Sequence, residues 1–190
     1  MGISLSFLAV KGQTPKEIHL ALGLTDTGVA SAEYDYPRPA LRGATLPDGS
    51  YLILLDDIVH RLIASQAILT SLSRGCEVVV CQVEEHCMYS ACFGLRNGKE
   101  VWSVVHDARK ARDDLRVWGK PPAAFDEIAS RMREAQAEED ERERQHPTSM
   151  AVDFIWEIPV ELANALCGYR HDTRAEWGEP AFTILAEGKG

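Results

Sequence analysis

Glu84, Glu85, His86, His106 and Asp107 are the residues whose types and spacing invite chemistry. Imidazole nitrogens combined with carboxylate oxygens suit zinc, manganese or non-haem iron. On that chemistry His86, His106, Glu84 and Asp107 are a candidate centre for zinc or another transition metal, in a metal-dependent enzyme or a metal sensor. Convergence depends on the elements that carry these residues. Asn97-Gly98 is the preferred pair for a two-residue hairpin turn, because both positions need positive φ. If Arg96 pairs with Lys99, Gly94 faces Val101, Phe93 faces Trp102, Cys92 faces Ser103, Ala91 faces Val104 and Tyr89 faces His106. An earlier run, residues 77–83, supplies a third strand, and Glu84-Glu85-His86 makes the reversal at the His106-Asp107 end of the sheet. A slip of one residue in this pairing would turn His106 to the opposite face and leave only ordinary polar strand ends.

Other chemistry is less well supplied. Cys87 and Cys92 lie near histidines, but a thiol becomes a nucleophile only where a neighbour lowers its pKa, and the sequence shows none beyond proximity. The chain has no G-x-S-x-G, no phosphate-cradling glycine loop before a helix, no H-E-x-x-H and no dinucleotide fingerprint. Gly168-Tyr169-Arg170-His171-Asp172 follows a helix stop, and its Tyr169, Arg170 and Asp172 either recognise a partner or pair among themselves across a turn.

The remaining elements build a frame around the meander. Residues 3–10 alternate as a strand. Thr14-Pro15-Lys16-Glu17 is a capping box with proline at the first helical position, and Gly23 stops that helix. Residues 25–47 are rich in Gly, Pro, Ser, Thr and Asp and read as a long loop, with Tyr34 to Pro39 as its tip; a loop of this length could close over a small molecule as a lid. Residues 51–55 form a buried strand, and 58–73 a helix broken near Ser65, whose side chain can cap a second segment. A short edge strand is expected at 115–119. Phe125, Ile128, Ala129, Met132 and Ala135 make one apolar helical stripe that ends at Ala137. A charged break at 138–149 follows, its acidic run a solvated helix end or a linker, then a C-terminal segment, 150–190, with a strand at 152–156, a helix at 159–166 and a last strand at 181–185. The class is α+β, one domain over 1–190, with a central antiparallel sheet packed by about four helices.

Hydrophobic residues make up 45 % of the chain and charged ones 26 %, an ordinary globular composition, while the formal charge of −9 disfavours nucleic acid and anionic membrane surfaces and favours a basic protein partner. Residues 1–13 carry neither the basic region nor the cleavage site of a secretory leader, and no run reaches membrane-spanning length. Five cysteines without C-x-x-C spacing suit buried free thiols in the cytoplasm.

The succession of a T-P-x-E-I helix (14–18), a Leu-Pro-Asp-Gly turn before a hydrophobic strand (46–55), the Val-Glu-Glu-His meander, and an Ile-Pro-Val-Glu-Leu-Ala helix followed by Gly-Tyr-Arg-His-Asp resembles small uncharacterised bacterial proteins. Some of these are similar to immunity proteins that block toxins of neighbouring cells. The resemblance implies a non-enzymatic binding protein and carries no catalytic residue. An acidic surface including Glu84 and Glu85, with Tyr169, Arg170 and Asp172, is then the expected partner-binding region.

Overall fold

The computed structural model describes residues 2–32, 39–147 and 152–188. Its strands are β1 (Ser4–Lys11), β2 (Leu24–Ser31), β3 (Leu41–Thr45), β4 (Tyr51–Leu55), β5 (Glu77–Glu84), β6 (Tyr89–Arg96), β7 (Lys99–Asp107), β8 (Leu115–Gly119) and β9 (Phe182–Glu187). Among the described residues these form one antiparallel sheet in the order β2-β9-β3-β4-β1-β5-β6-β7-β8. The helices are α1 (Pro15–Leu22), α2 (Arg61–Ala64), α3 (Gln66–Leu72), α4 (Ala124–Gln145) and α5 (Phe154–Cys167). The fold is α+β.

Helices cover both faces of the central strands, so the pleat divides each strand between two cores. Leu5, Phe7 and Ala9 of β1 pack with Cys81, Val83, Cys92 and Val104 beneath α4 and α5. Leu8 and Val10 pack with Ile53, Leu55, Val78 and Val80 beneath α1, α2 and α3. Each fully buried aliphatic side chain contributes about 1.5–3 kcal/mol. That is why β1 and β4 read as nearly continuous apolar runs.

The local signals at helix ends behave as their chemistry requires. Thr14 Oγ1 accepts from the Glu17 amide while Glu17 returns a carboxylate oxygen to the Thr14 amide at 2.8 Å, and Gly23 ends α1 in the left-handed region at φ 66°. Ser65 separates α2 from α3 and caps the latter, its hydroxyl accepting from the Ile68 amide.

Two expectations are corrected and a third is narrowed. The 25–47 stretch is not a loop throughout: it contains β2 and β3, whose partners β9 and β4 supply hydrogen bonds that local composition does not reveal. Residues 33–38, which include most of the anticipated lid tip, lie outside the described residues. The 152–156 strand is instead the start of α5, with Asp153 as N-cap accepting from the Trp156 amide at 3.0 Å. This helix is buried on most of its circumference, so its apolar residues run together and hide the helical period. Finally, of the two readings of the charged run the helix end holds and the linker does not: α4 continues to Gln145, with Gln136 and Glu139 turned inward to bond the Phe154 and Val152 amides at 2.8 and 3.0 Å.

The pairing of β6 with β7 also departs from the simple hairpin. Arg96 pairs with Lys99 around Asn97 (φ 51°) and Gly98 (φ 76°), and Leu95 pairs with Glu100. Gly94 then pairs with Trp102, so Val101 is an extra residue and everything beyond it moves by one: Phe93 faces Ser103, Cys92 Val104, Ala91 Val105, Ser90 His106 and Tyr89 Asp107. A bulge of this kind lets the strand twist while the ladder resumes. Gly94 makes room for it. A Cβ on that residue would lie 2.7 Å from Cζ2 of the Trp102 indole and closer still to Nε1. Gly94→Ala should therefore destabilise the protein by about 1–3 kcal/mol, read as a lowered urea midpoint with a shift in tryptophan emission; an unchanged midpoint would refute this packing account.

Candidate functional site

The bulge decides where His106 goes. Paired with Ser90 rather than Tyr89, it faces α5 and is fully buried. Its Nδ1 lies 2.8 Å from the Asp114 carbonyl oxygen and its Nε2 3.1 Å from Asp153 Oδ2. Burial pushes the Asp153 carboxyl up, but hydrogen bonds from His106 and from the Trp156 amide outweigh it and hold the group below its ordinary value. Ser90, on the same face, donates to the Trp156 carbonyl at 2.7 Å, and the Trp156 indole N–H reaches the Tyr89 carbonyl at 3.1 Å. His106 thus ties β7 to the N-terminus of α5.

His86 occupies a different environment. Glu85–Cys87 forms a single 3₁₀ turn closed by Met88 at φ 48°. The His86 side chain is 61 % exposed, with Nδ1 2.6 Å from Glu84 Oε1. A hydrogen bond from Ser4, with others from His86, keeps the Glu84 carboxyl low. Glu85 accepts from the Ile3 amide at 2.9 Å and lies 3.9 Å from His171 Nε2.

Asp107 shares the opposite face with Tyr89, where Arg109 grips both its oxygens at 2.7 and 3.1 Å and lowers its pKa. The proposed metal ligands therefore do not converge: His86 and Glu84 bond each other, His106 is turned to Asp114 and Asp153, and Asp107 is held by Arg109. No group of three or more His, Cys, Asp or Glu among the described residues is arranged to hold a metal ion. A cleft of about 520 Å³ lies beside this end of the sheet, lined by Gln82, Glu84, Cys87, Tyr89 and Arg109 together with Ile58 and Val59.

The Gly-Tyr-Arg-His-Asp segment is divided between core and ion pairs. Tyr169 is buried edge-on against Phe7 and Phe182, so its ring offers no surface to a partner. Arg170 binds Asp172 (2.5 Å), Glu157 (2.8 Å) and Glu161. The Asp172 hydrogen bond does most to keep that guanidinium charged, although burial opposes it. Burial also raises the Glu157 carboxyl against the pull of Arg170. His171 is buried edge-on to Trp156. The five cysteines are free thiols. Burial drives the Cys81 and Cys92 thiols well up and Cys167 to about 11, which removes those three as nucleophiles near neutrality.

Sequence reasoning missed Asp153, Asp114 and Trp156 as partners of this end of the sheet, and Glu157 and Glu161 as partners of Arg170. Asp153 did carry a signal: an Asp directly before an apolar run is a helix N-cap pattern. Asp114 and the glutamates carried none, because no helical or capping spacing links them to His106 or Arg170.

Neither family models nor curated proteins nor solved structures yield a match to this chain.

Two outcomes follow from the buried polar joints. His106→Ala leaves Asp153 short of its partner beneath α5 and should cost about 3 kcal/mol or more in urea unfolding; a loss well under 1 kcal/mol would show that the pair does not secure the helix. Glu139, bonded by Arg142 and the Val152 amide, has its carboxyl held down to about 2 from an ordinary 4.5. Because the folded value is the lower one, its stabilisation is complete above pH 4.5 and vanishes as pH falls toward 2. Glu139→Gln should flatten the acid limb of stability across that window, measured by denaturation midpoints at pH 7, 4 and 2.5; an equally steep limb would refute the linkage.

Proposed function

We propose that this is a non-enzymatic binding protein of the cytoplasm, immunity-like in its action, that receives a basic protein partner on an acidic surface. The observation that carries this reading is the uneven use of charge. Arg112, Arg131, Arg142, Arg144 and Arg170 are each occupied by carboxylates of the same chain. On the outer side of α4, Glu127, Glu134 and Glu138 stand exposed with no ion pair to a described residue. They lie seven and four residues apart, on one stripe about 16 Å long and opposite the buried Ile128, Met132 and Gln136. An array of uncompensated carboxylates on a rigid helix steers a cationic partner and gives its binding a strong salt dependence.

The free thiols support a reducing compartment. No helix among the described residues is long and apolar enough to cross a membrane. Of the residues anticipated for binding, Glu84, Glu85, Arg170 and Asp172 are engaged in structural bonds, which moves the centre of the proposed surface to α4.

The test is a tagged capture from lysate of the source cells at low salt. A stoichiometric basic protein should bind and leave at high salt, and replacing Glu127, Glu134 and Glu138 together with Gln should weaken it about tenfold and flatten the salt dependence. Capture with unchanged affinity and salt response in the triple variant would sink the α4 assignment.

A further inference from the structure

The sheet has two outer strands, and the chain treats them differently. β2 is interrupted: its register with β9 shifts between Asp26 and Ala30, and Gly28 lies at φ 69°. Its own side chains satisfy amides there, Asp26 accepting from Gly28 and Thr27 from Val29. Such an edge resists further pairing. β8 is paired with β7 without a shift, from His106↔Leu115 to Trp102↔Gly119, and among the described residues has no neighbour on its other side. Val101, Val117 and Trp118, three of the eight large apolar side chains exposed among the described residues, stand at this margin, with Val117 at 44 % and Trp118 at 56 %.

We propose that β8 pairs antiparallel with β8 of a second copy, about a twofold axis at Val117 that runs perpendicular to the sheet. The axis position follows from the residues. Centred on Arg116, the strands would overlap over three residues and set two guanidinium groups against each other. Centred on Trp118, they would again overlap over three, because Gly119 turns the chain out of the strand at φ 71°. Centred on Val117, all five residues pair: Val117 meets its symmetry mate, Leu115 meets a glycine without a side chain, and Arg116 lies across from Trp118 twice. Cross-strand partners share a face, so each guanidinium can rest on an indole, an attractive cation–π arrangement. The Asp114 carboxylate, 3.1 Å from Arg116 Nε, orients that guanidinium within its own chain. The interface is isologous, the ordinary geometry of a twofold dimer, and joins the two sheets into one.

Sedimentation velocity over a wide concentration range tests this on the full chain, with circular dichroism confirming that each variant is folded. The wild type should show a concentration-dependent dimer. Trp118→Lys sets a cation against Arg116 of the other copy and should raise the dissociation constant more than ~10-fold. Trp118→Glu removes the same apolar surface but gives Arg116 an ion-pair partner, so it should remain dimeric. A wild type that is monomeric throughout would overturn the proposal. So would a Glu variant that dissociates as readily as the Lys variant, or a dimer indifferent to both changes.

Discussion

One unpaired residue sets the arrangement of half this protein. Because Val101 has no partner on β6, Trp102, Val104 and His106 point toward α5, while Ser103, Val105 and Asp107 point away. Without that bulge the alternation would place a histidine on the other face and an aspartate against α5, burying a carboxylate where an imidazole now meets one. The indole of Trp102 over Gly94 marks the bulge from the α5 side, and Gly119 allows β8 to approach the Val101 carbonyl oxygen from the other. Both glycines sit where a side chain would collide. The phase of β7, the seat of α5 and the closeness of β8 all depend on this point.

The second organising feature is the joint between the last two helices. Gln136 and Glu139 accept the amides of Phe154 and Val152, Asp153 caps α5, and His106 holds Asp153 from the sheet side. A helix start leaves amide donors without intrahelical partners, and burying them uncapped is costly. Here side chains from α4 and from Asp153 meet those donors. The polar residues at this joint are therefore structural, although their types would suit catalysis.

Charge is distributed by the same economy. Arg131, Arg142 and Arg144 of α4, Arg112 before β8 and Arg170 after α5 turn toward carboxylates of the chain, while Glu127, Glu134 and Glu138 face outward from α4. The thiols follow a parallel pattern, with Cys81, Cys92 and Cys167 serving as small apolar groups in the core beneath α5.

Much of the local structure was legible in the residues. Thr14 to Glu17 capped a helix because hydroxyl and carboxylate spacing matches the geometry of a first turn, and Ser65 divided 58–73 for a similar reason. The α+β class followed from apolar alternation beside helical stripes. What could not be read depended on residues far apart in the chain. β2 is a strand because β9 arrives some 150 positions later to bond it; α5 looks like a strand at its start because burial on most sides removes its period. The candidate metal site rested on a register that Val101 displaces by one, and a displacement of one residue exchanges the faces of a strand. The sequence by itself determined caps, turns and the apolar content of each element, since these are decided by neighbours within a few bonds. Only the tertiary structure decided which face His106 occupies, which carboxylates hold Arg170 and which edge of the sheet stays open, because each requires groups brought together by packing.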